Sequence, residues 1–318
     1  MTGGAGFIGS VLVDELISSG ARVRVVDSLL HGSQPLLSYA SKPGFEFMRG
    51  DVRDESVVRT ALDGVSDVVH LAAIVGDKAC QSETALATQT NLTATRQLAA
   101  LSLERGVRQF VLASTCSNYG LVDPSDEADE ATELKPLSHY AATKVAAEAA
   151  VCELAQQGLA AQILRFATVF GVSPRMRFDL LVNDFVRSAA LRHKIEIYHS
   201  QSWRPYLHVR DVARAVVASL SDHCGTNARP IALNVGDDRL NYAKIAVARA
   251  VADGIEGTQI VQGSHGHDRR SYKVSFKAIR DHLGFGATHT LQDGIEEVSQ
   301  LLHDGVLVDP WSPTLENH

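Results

Sequence analysis

The segment Thr2-Gly3-Gly4-Ala5-Gly6-Phe7-Ile8-Gly9, followed by an apolar helix-patterned run and then Val25-Val26-Asp27, constrains the fold more than any other feature of the chain. Gly3, Gly6 and Gly9 let the backbone turn tightly and approach a pyrophosphate, whose charge suits the N-terminus of the helix that follows. Phe7 and Ile8, in the same segment, are expected on the cofactor side with the glycines. Asp27 stands about 20 residues on, where a carboxylate accepts hydrogen bonds from an adenosine ribose. A carboxylate there repels a 2′-phosphate, so the reading is NAD(H) rather than NADP(H).

This βαβ pattern starts early, at residue 2. The strand before such a loop lies in mid-sheet, and only Met1 and Thr2 remain of it. Losing a central strand forfeits several buried side chains at roughly 1.5–3 kcal/mol each, against about 5–15 kcal/mol of net stability for a domain. The expectation is a truncated first strand and a natural chain that begins upstream, with Met1 at an interior strand position. Equal cooperative unfolding and equal NAD affinity with and without an upstream extension would overturn it.

Apolar runs alternate with helix-patterned segments through the first half, which predicts parallel strands joined by crossover helices. Strands are expected at 22–26, 45–48, 68–71, 109–113 and 161–165. Helices are expected at 8–19, 54–62, 84–105 and 140–157 from apolar spacings of three and four. The acidic run 123–133 reads as a solvated loop. Beyond residue 165 a helix at 178–193, short strands at 195–198 and 206–209, and a helix at 211–220 are expected. The fold class is α/β, a doubly wound parallel sheet with a smaller C-terminal α/β lobe. Residues 1–165, with 204–222 returning, form the nucleotide domain; 166–203 and 223–318 form the substrate lobe.

With 318 residues, 45% of them hydrophobic, the chain can bury a core of this kind. A net charge of −7 provides no basic field for nucleic acid or an anionic membrane. A small-molecule substrate is therefore expected. Cys80, Cys116, Cys152 and Cys224 are widely spaced, which argues against a disulfide scaffold or a zinc site and for a reducing, cytosolic compartment. No apolar run reaches the roughly 18 residues needed to span a bilayer, and secretion is not expected. His265-Gly266-His267 beside Asp268 reads as loop solvation or substrate contact rather than a metal site, and no metal is expected.

Tyr140-Ala141-Ala142-Thr143-Lys144 places a phenol and an ammonium on one face of one helix. The polar turn Ser114-Thr115-Cys116-Ser117-Asn118-Tyr119-Gly120 precedes it, after a strand. A hydride-transfer enzyme must take a proton from an alcohol while hydride leaves the same carbon. A phenol of pKa about 10 is a weak base near neutrality, but positive charge from Lys144 and an oxidised nicotinamide favours the phenolate. The Thr115 hydroxyl then positions the substrate oxygen.

These pieces resemble the extended short-chain dehydrogenase/reductase family in its sugar-nucleotide epimerase and dehydratase branch, of the UDP-glucose 4-epimerase type. The resemblance rests on residues 2–9, Asp27, Gly50-Asp51-Val52-Arg53-Asp54, His70-Leu71-Ala72-Ala73, Asn91, 114–120, 140–144, 165–171 and 204–213, and spans essentially the whole chain. It implies a Rossmann fold, NAD as cofactor and a nucleotide-sugar substrate. It implies that Asp51 and Val52 touch the adenine, and that Leu71, Ala72 and Ala73 line the dinucleotide. Asn91, Val169, Tyr140 and Lys144 fall on the cofactor side, with Val169 near the nicotinamide and Lys144 on its ribose. Arg204 falls where an arginine binds the sugar nucleotide's diphosphate, a geometry that suits a planar guanidinium; a strand-edge salt bridge is the alternative. A homodimer through a four-helix bundle that includes the Tyr-Lys helix is implied as well, and the Ala-rich stretch 141–155 suits close helix approach.

Departures from the pattern shape the functional expectation. Thr168 stands where many relatives carry a phosphate-binding Asn, and Asn183 is a candidate replacement. Cys116-Ser117 stands where the dehydratase type carries an Asp-Glu acid/base pair, placing both residues on the substrate side. Cys116 is either a proton donor or a small buried thiol. Arg270 is either a further substrate-side cation or a surface arginine. The leading reading is an NAD-dependent epimerase of a nucleotide-diphosphate sugar, acting at C4 through a transient ketone. The alternatives are a dehydratase, a 3,5-epimerase, a 4-keto reductase, or a nucleotide-sensing protein without catalysis.

Overall fold

The computed structural model describes residues 1–123, 125–221, 231–263 and 270–317. Cys224 and the 265–268 loop lie outside the described residues. The chain opens with helix α1 (Phe7–Ser18), strands β1 (Val23–Asp27) and β2 (Phe45–Arg49), helix α2 (Glu55–Ala61) and strand β3 (Asp67–His70). Helices α3 (Asp77–Ser82), α4 (Thr84–Thr88) and α5 (Ala94–Glu104) lead to β4 (Gln109–Thr115), α6 (His139–Gln156) and β5 (Ala161–Phe166).

Strands β3, β4, β5 and a later strand β9 (Ala232–Val235) pair in parallel, as do β1 and β2. Thr2 joins the two pieces, with parallel bridges to Val26 and His70. Its N–H donates to the Val69 carbonyl at 2.9 Å, and its own carbonyl accepts from Leu71 at 3.2 Å. The Thr2 hydroxyl meets His70 Nδ1 at 2.7 Å, and His70 Nε2 meets Thr95 at 2.9 Å. Burial lowers the His70 pKa to about 3, so the imidazole is neutral and can accept from one hydroxyl while donating to the other. The resulting sheet is the expected doubly wound one, with the glycine loop at its middle, where ligands bind beyond the strand C-termini.

After β5 come β6 (Thr168–Phe170), α7 (Leu181–Arg192), β7 (Lys194–Ile197), β8 (Trp203–His208) and α8 (Val209–Ser221). They are followed by β9 (Ala232–Val235), β10 (Asn241–Ala243), α9 (Lys244–Gly254), β11 (Gln259–Gln262), α10 (Lys277–Leu283) and α11 (Leu291–His303). Strands β6, β8 and β10 form a small sheet, and β7 pairs with β11. The second lobe has its own core, in which Phe178, Val182, Val186, Ile195, Val247 and Val298 are fully buried.

Three expectations need correction. The stretch 223–318 does not lie wholly in the second lobe: β9 pairs with β5, and Phe276 and Ile279 join the core beneath the parallel sheet. The expected helix 84–105 is interrupted by a π-helical turn, Gln89–Thr93, and π-bulges are common where a side chain is put to use. The acidic run is also less solvated than expected. Ala128 is buried against Val274, and Glu130 accepts from the Asn234 N–H at 2.7 Å, with burial pushing its carboxyl up.

Candidate active site

The glycine loop is shaped by contacts that only glycine allows. Gly3 has φ +73°, and a Cβ there would lie 2.6 Å from the Ala72 nitrogen. A Cβ on Gly9 would lie 2.1 Å from the Gly3 carbonyl oxygen, so helix α1 could not seat against the loop. Gly6 caps α1 without a side-chain acceptor, leaving the first-turn N–H groups to face the cleft. Asp27 fixes the loop from behind: one carboxylate oxygen accepts from Ala5 N at 2.9 Å, the other from Leu29 N at 2.8 Å.

A cleft of about 380 Å³ runs along this edge. Gly3, Gly6, Phe7, Ile8, Gly9, Asp27, Asp51, Val52, Leu71, Ala72, Ala73, Tyr140 and Lys144 line it. Asn91 does not. Its side chain is buried, with Oδ1 accepting from Ile74 N at 2.8 Å and Nδ2 donating to Ile74 O at 2.9 Å and to Thr143 at 3.1 Å. The expectation of direct cofactor contact is therefore replaced by a clamp on the cleft wall, made possible by the π turn. Val169 lines a second cavity rather than this one.

The second cavity, about 610 Å³, meets the first at Phe7, Ile8, Ser114 and Tyr140. Thr115 opens onto it from the end of β4, and the Thr115 hydroxyl accepts from Ser117 N at 3.1 Å. Helix α6 is started by Ser138, whose hydroxyl accepts from Ala141 N at 3.2 Å, and this sets Tyr140 in the first turn. The phenol therefore stands where the two cavities join. Burial pushes its pKa up, with Cys80 and Asp77 adding to the rise and Arg177 and Arg270 opposing it. Sequence reasoning anticipated a lowered value; in the protein itself desolvation outweighs the nearby cations.

Lys144, one turn along, is buried, and desolvation brings its ammonium down from 10.5 to about 8 against the pull of Glu148. Glu148 was not anticipated, although its spacing of four from Lys144 on the same helix was available in the sequence. It accepts from the Ser114 hydroxyl, from Asn118 Nδ2 at 2.8 Å, and from Arg165, whose Nη2 lies 2.7 Å away. Arg165 also reaches Tyr119 Oη at 3.1 Å, which donates to Asn234 at 2.7 Å. This buried network, in which Asn118 Oδ1 lacks a partner, fixes the end of β4, and Thr115 with it, against α6.

Ser117, Thr168, Val169, Arg204 and Arg270 line the second cavity. Arg204 donates through Nη1 to the carbonyls of Trp203 (2.7 Å) and Arg270, and its guanidinium lies 4.9 Å from the Tyr272 ring centroid. Arg270 pairs with Asp77 at 2.8 Å, tying the second lobe to α3. Two expected substrate contacts are corrected. Cys116 is buried, its Sγ donates to the Arg165 carbonyl at 3.2 Å, and burial raises its pKa strongly, so it is a packing thiol away from both cavities. Asn183 is also buried, its amide bonded to both backbone groups of Gly171 and to the Arg177 carbonyl, which explains why it faces neither cavity. Among the described residues no group of three or more His, Cys, Asp or Glu could hold a metal ion, and no helix is long and apolar enough to cross a membrane.

A doubly wound sheet with a glycine cradle, a carboxylate lining the cleft at the end of β1 and a Thr-Tyr-Lys cluster defines a dinucleotide-dependent enzyme of the short-chain dehydrogenase/reductase class. Residues 1–236 match the NAD dependent epimerase/dehydratase family, and the chain belongs to it. It is similar to a dTDP-glucose 4,6-dehydratase of Streptomyces griseus, 29% identical over 304 residues that cover 93% of this chain and 90% of that one. It is 30% identical to a UDP-glucuronate 4-epimerase of Thermodesulfobacterium geofontis over 250 residues, 74% of this chain and 76% of that one. A solved structure of MoeE5 in complex with UDP-glucose and NAD superposes with a TM-score of 0.81 at 30% identity, covering 96% of this chain and 98% of that one. NAD is the family's cofactor, and the cradle closed at Gly3 and Gly9 fits a dinucleotide pyrophosphate.

Proposed function

We propose that the protein is a 4-epimerase of a nucleotide-diphosphate sugar. The observation that carries this reading is the wall beside Thr115: Cys116 is buried on its own carbonyl partner, and Ser117, the neighbour that does face the cavity, is not an acid. Of the carboxylates farther along that cavity, Asp77 pairs with Arg270, Asp179 with Arg177, and Asp184 and Glu316 with Arg187, while Glu196 lines it from β7, away from Thr115 on β4. Elimination of water needs a proton donor and a base next to the oxidised carbon, and this wall supplies neither. Hydride removal and return needs only the phenol at the junction.

In this reading the positive charges of Lys144 and of bound oxidised nicotinamide together would offset the burial that raises the Tyr140 pKa, and the resulting phenolate takes the proton of the C4 hydroxyl while Thr115 holds that oxygen. Bound NAD would supply reversible hydride acceptance at C4. Tyr140 then returns its proton to the oxygen after the sugar has presented its other face, so no net redox results. The relatives named as a 4-epimerase and as a complex with UDP-glucose support a nucleotide-sugar substrate. Incubation with NAD and UDP-, dTDP- and GDP-sugars in D₂O, followed by NMR, tests the proposal. Inversion at C4 without deuterium uptake is expected; deuterium at C3 or C5, or loss of water, would overturn it in favour of proton-transfer chemistry.

A further inference from the structure

We propose that Arg175, a second-lobe residue braced by the C-terminal segment, binds the diphosphate of the dinucleotide across the cleft from the glycine loop. The inference rests on the NAD dependence of the family and not on the C4 reading, because it concerns only how the cofactor is held. Arg175 lines the cofactor cleft and is 5% exposed. Its Nη2 donates to the Glu316 carbonyl at 3.3 Å and to Asn317 Oδ1 at 2.9 Å. Its Nε and Nη1 are buried with no hydrogen-bond partner. A buried guanidinium with three N–H bonds unmatched costs folding free energy unless an acceptor arrives.

The backbone places that charge beside the helix that cradles phosphate. Ser173 Oγ donates to the Phe7 carbonyl at 2.7 Å and meets Ser10 Oγ at 3.0 Å, both in the first turns of α1. Arg175 N in turn donates to Ser173 Oγ at 3.3 Å. The loop after β6 is thus stapled to the N-terminal end of α1, whose N–H groups and dipole favour an anion but supply only partial charge.

The other arginines at this cleft are committed to carboxylates. Arg53 is held by Asp51 at 2.6 Å and Arg177 by Asp179 at 2.5 Å. His31 is brought down to about 4 by burial and by Arg175 and Arg177, so it carries no charge at neutral pH. Lys144 stands one turn along α6 from Tyr140. Arg175 has only neutral oxygens as partners, and it is matched in shape to phosphate. Asn317 completes the brace by donating to the Val75 carbonyl at 3.2 Å on the opposite wall.

Binding of ADP and of adenosine to nucleotide-free protein tests the assignment, by calorimetry for ADP and by competition for adenosine. Arg175→Gln is expected to weaken ADP about tenfold or more, the loss of a charge-assisted bond, and to leave adenosine unchanged. Asn317→Asp keeps the guanidinium but gives it a carboxylate partner, and it is expected to weaken ADP selectively as well. It remains decisive if Arg175→Gln fails to fold. Unchanged ADP affinity in the folded variants, or an equal loss for ADP and adenosine, would overturn the proposal.

Discussion

The two cavities that meet at Tyr140 are built in different ways. The cofactor side is walled mainly by short contiguous motifs, the loop before α1, the ends of β1 and β3, and the start of α6, each shaped by its own backbone. The second cavity draws on α3, β4, β6, α7, β7, β8, α9, residues 270–272 and the C-terminal segment, brought together only by the packing of the second lobe. A site made of local motifs survives change in the rest of the chain. One assembled from distant segments can be retuned piece by piece, which suits a family whose members handle different sugars on one cofactor.

Substitution at the junction should break both halves at once in function while sparing binding. Tyr140→Phe is expected to lower kcat by about 10²–10⁴-fold with NAD affinity unchanged, measured by turnover and calorimetry. Next in size, Glu148→Gln leaves Arg165 buried without its anion, and a loss of about 3–5 kcal/mol is expected in chemical denaturation.

The same variant sharpens the comparison through pH. Lys144 loses its proton above about 8, so kcat/KM should fall on that side, and Glu148→Gln should move the fall to lower pH because the carboxylate pulls the ammonium up. The folded-state value lies below the ordinary 10.5, so the charged ammonium costs stability at every pH under about 8. That cost fades as pH rises from 8 towards 10.5.

Smaller effects should separate the halves. Gly9→Val forces a side chain into the Gly3 carbonyl, and an overpacking cost of about 1–3 kcal/mol should appear as weaker NAD binding with sugar-nucleotide affinity retained. Thr168→Val removes a hydroxyl from the second cavity only. A rise in KM of about fivefold, roughly one hydrogen bond, is expected with NAD affinity unchanged.

Much of the cofactor side was legible in the chain because its signals are local. A glycine at positive φ, a carboxylate 18 residues after Gly9, and a phenol and ammonium one turn apart are each set by spacing along the backbone. Asn91 was noticed for the right region but given the wrong partner. Whether an amide reaches a ligand or clamps Ile74 depends on one π turn that apolar periodicity does not reveal. Cys116 and Ser117 are adjacent in sequence yet differ wholly in exposure to the cavity, because the one-turn helix at 116–119 rotates one side chain inward and the other out.

By itself, the sequence determined the parallel sheet, the dinucleotide cradle, and the pairing of a phenol and an ammonium on one helix at the cleft, because hydrophobic period and residue spacing act over a few residues. Only the tertiary structure decided that β9 returns to the sheet, that Glu148 and Arg165 lock the end of β4 against α6, and that Arg175 and Asn317 meet at the wall of the cofactor cleft. Those contacts join residues from 17 to 142 positions apart. They arise when two lobes pack and buried charges must find partners, a condition imposed by the whole core and not by any one stretch of chain.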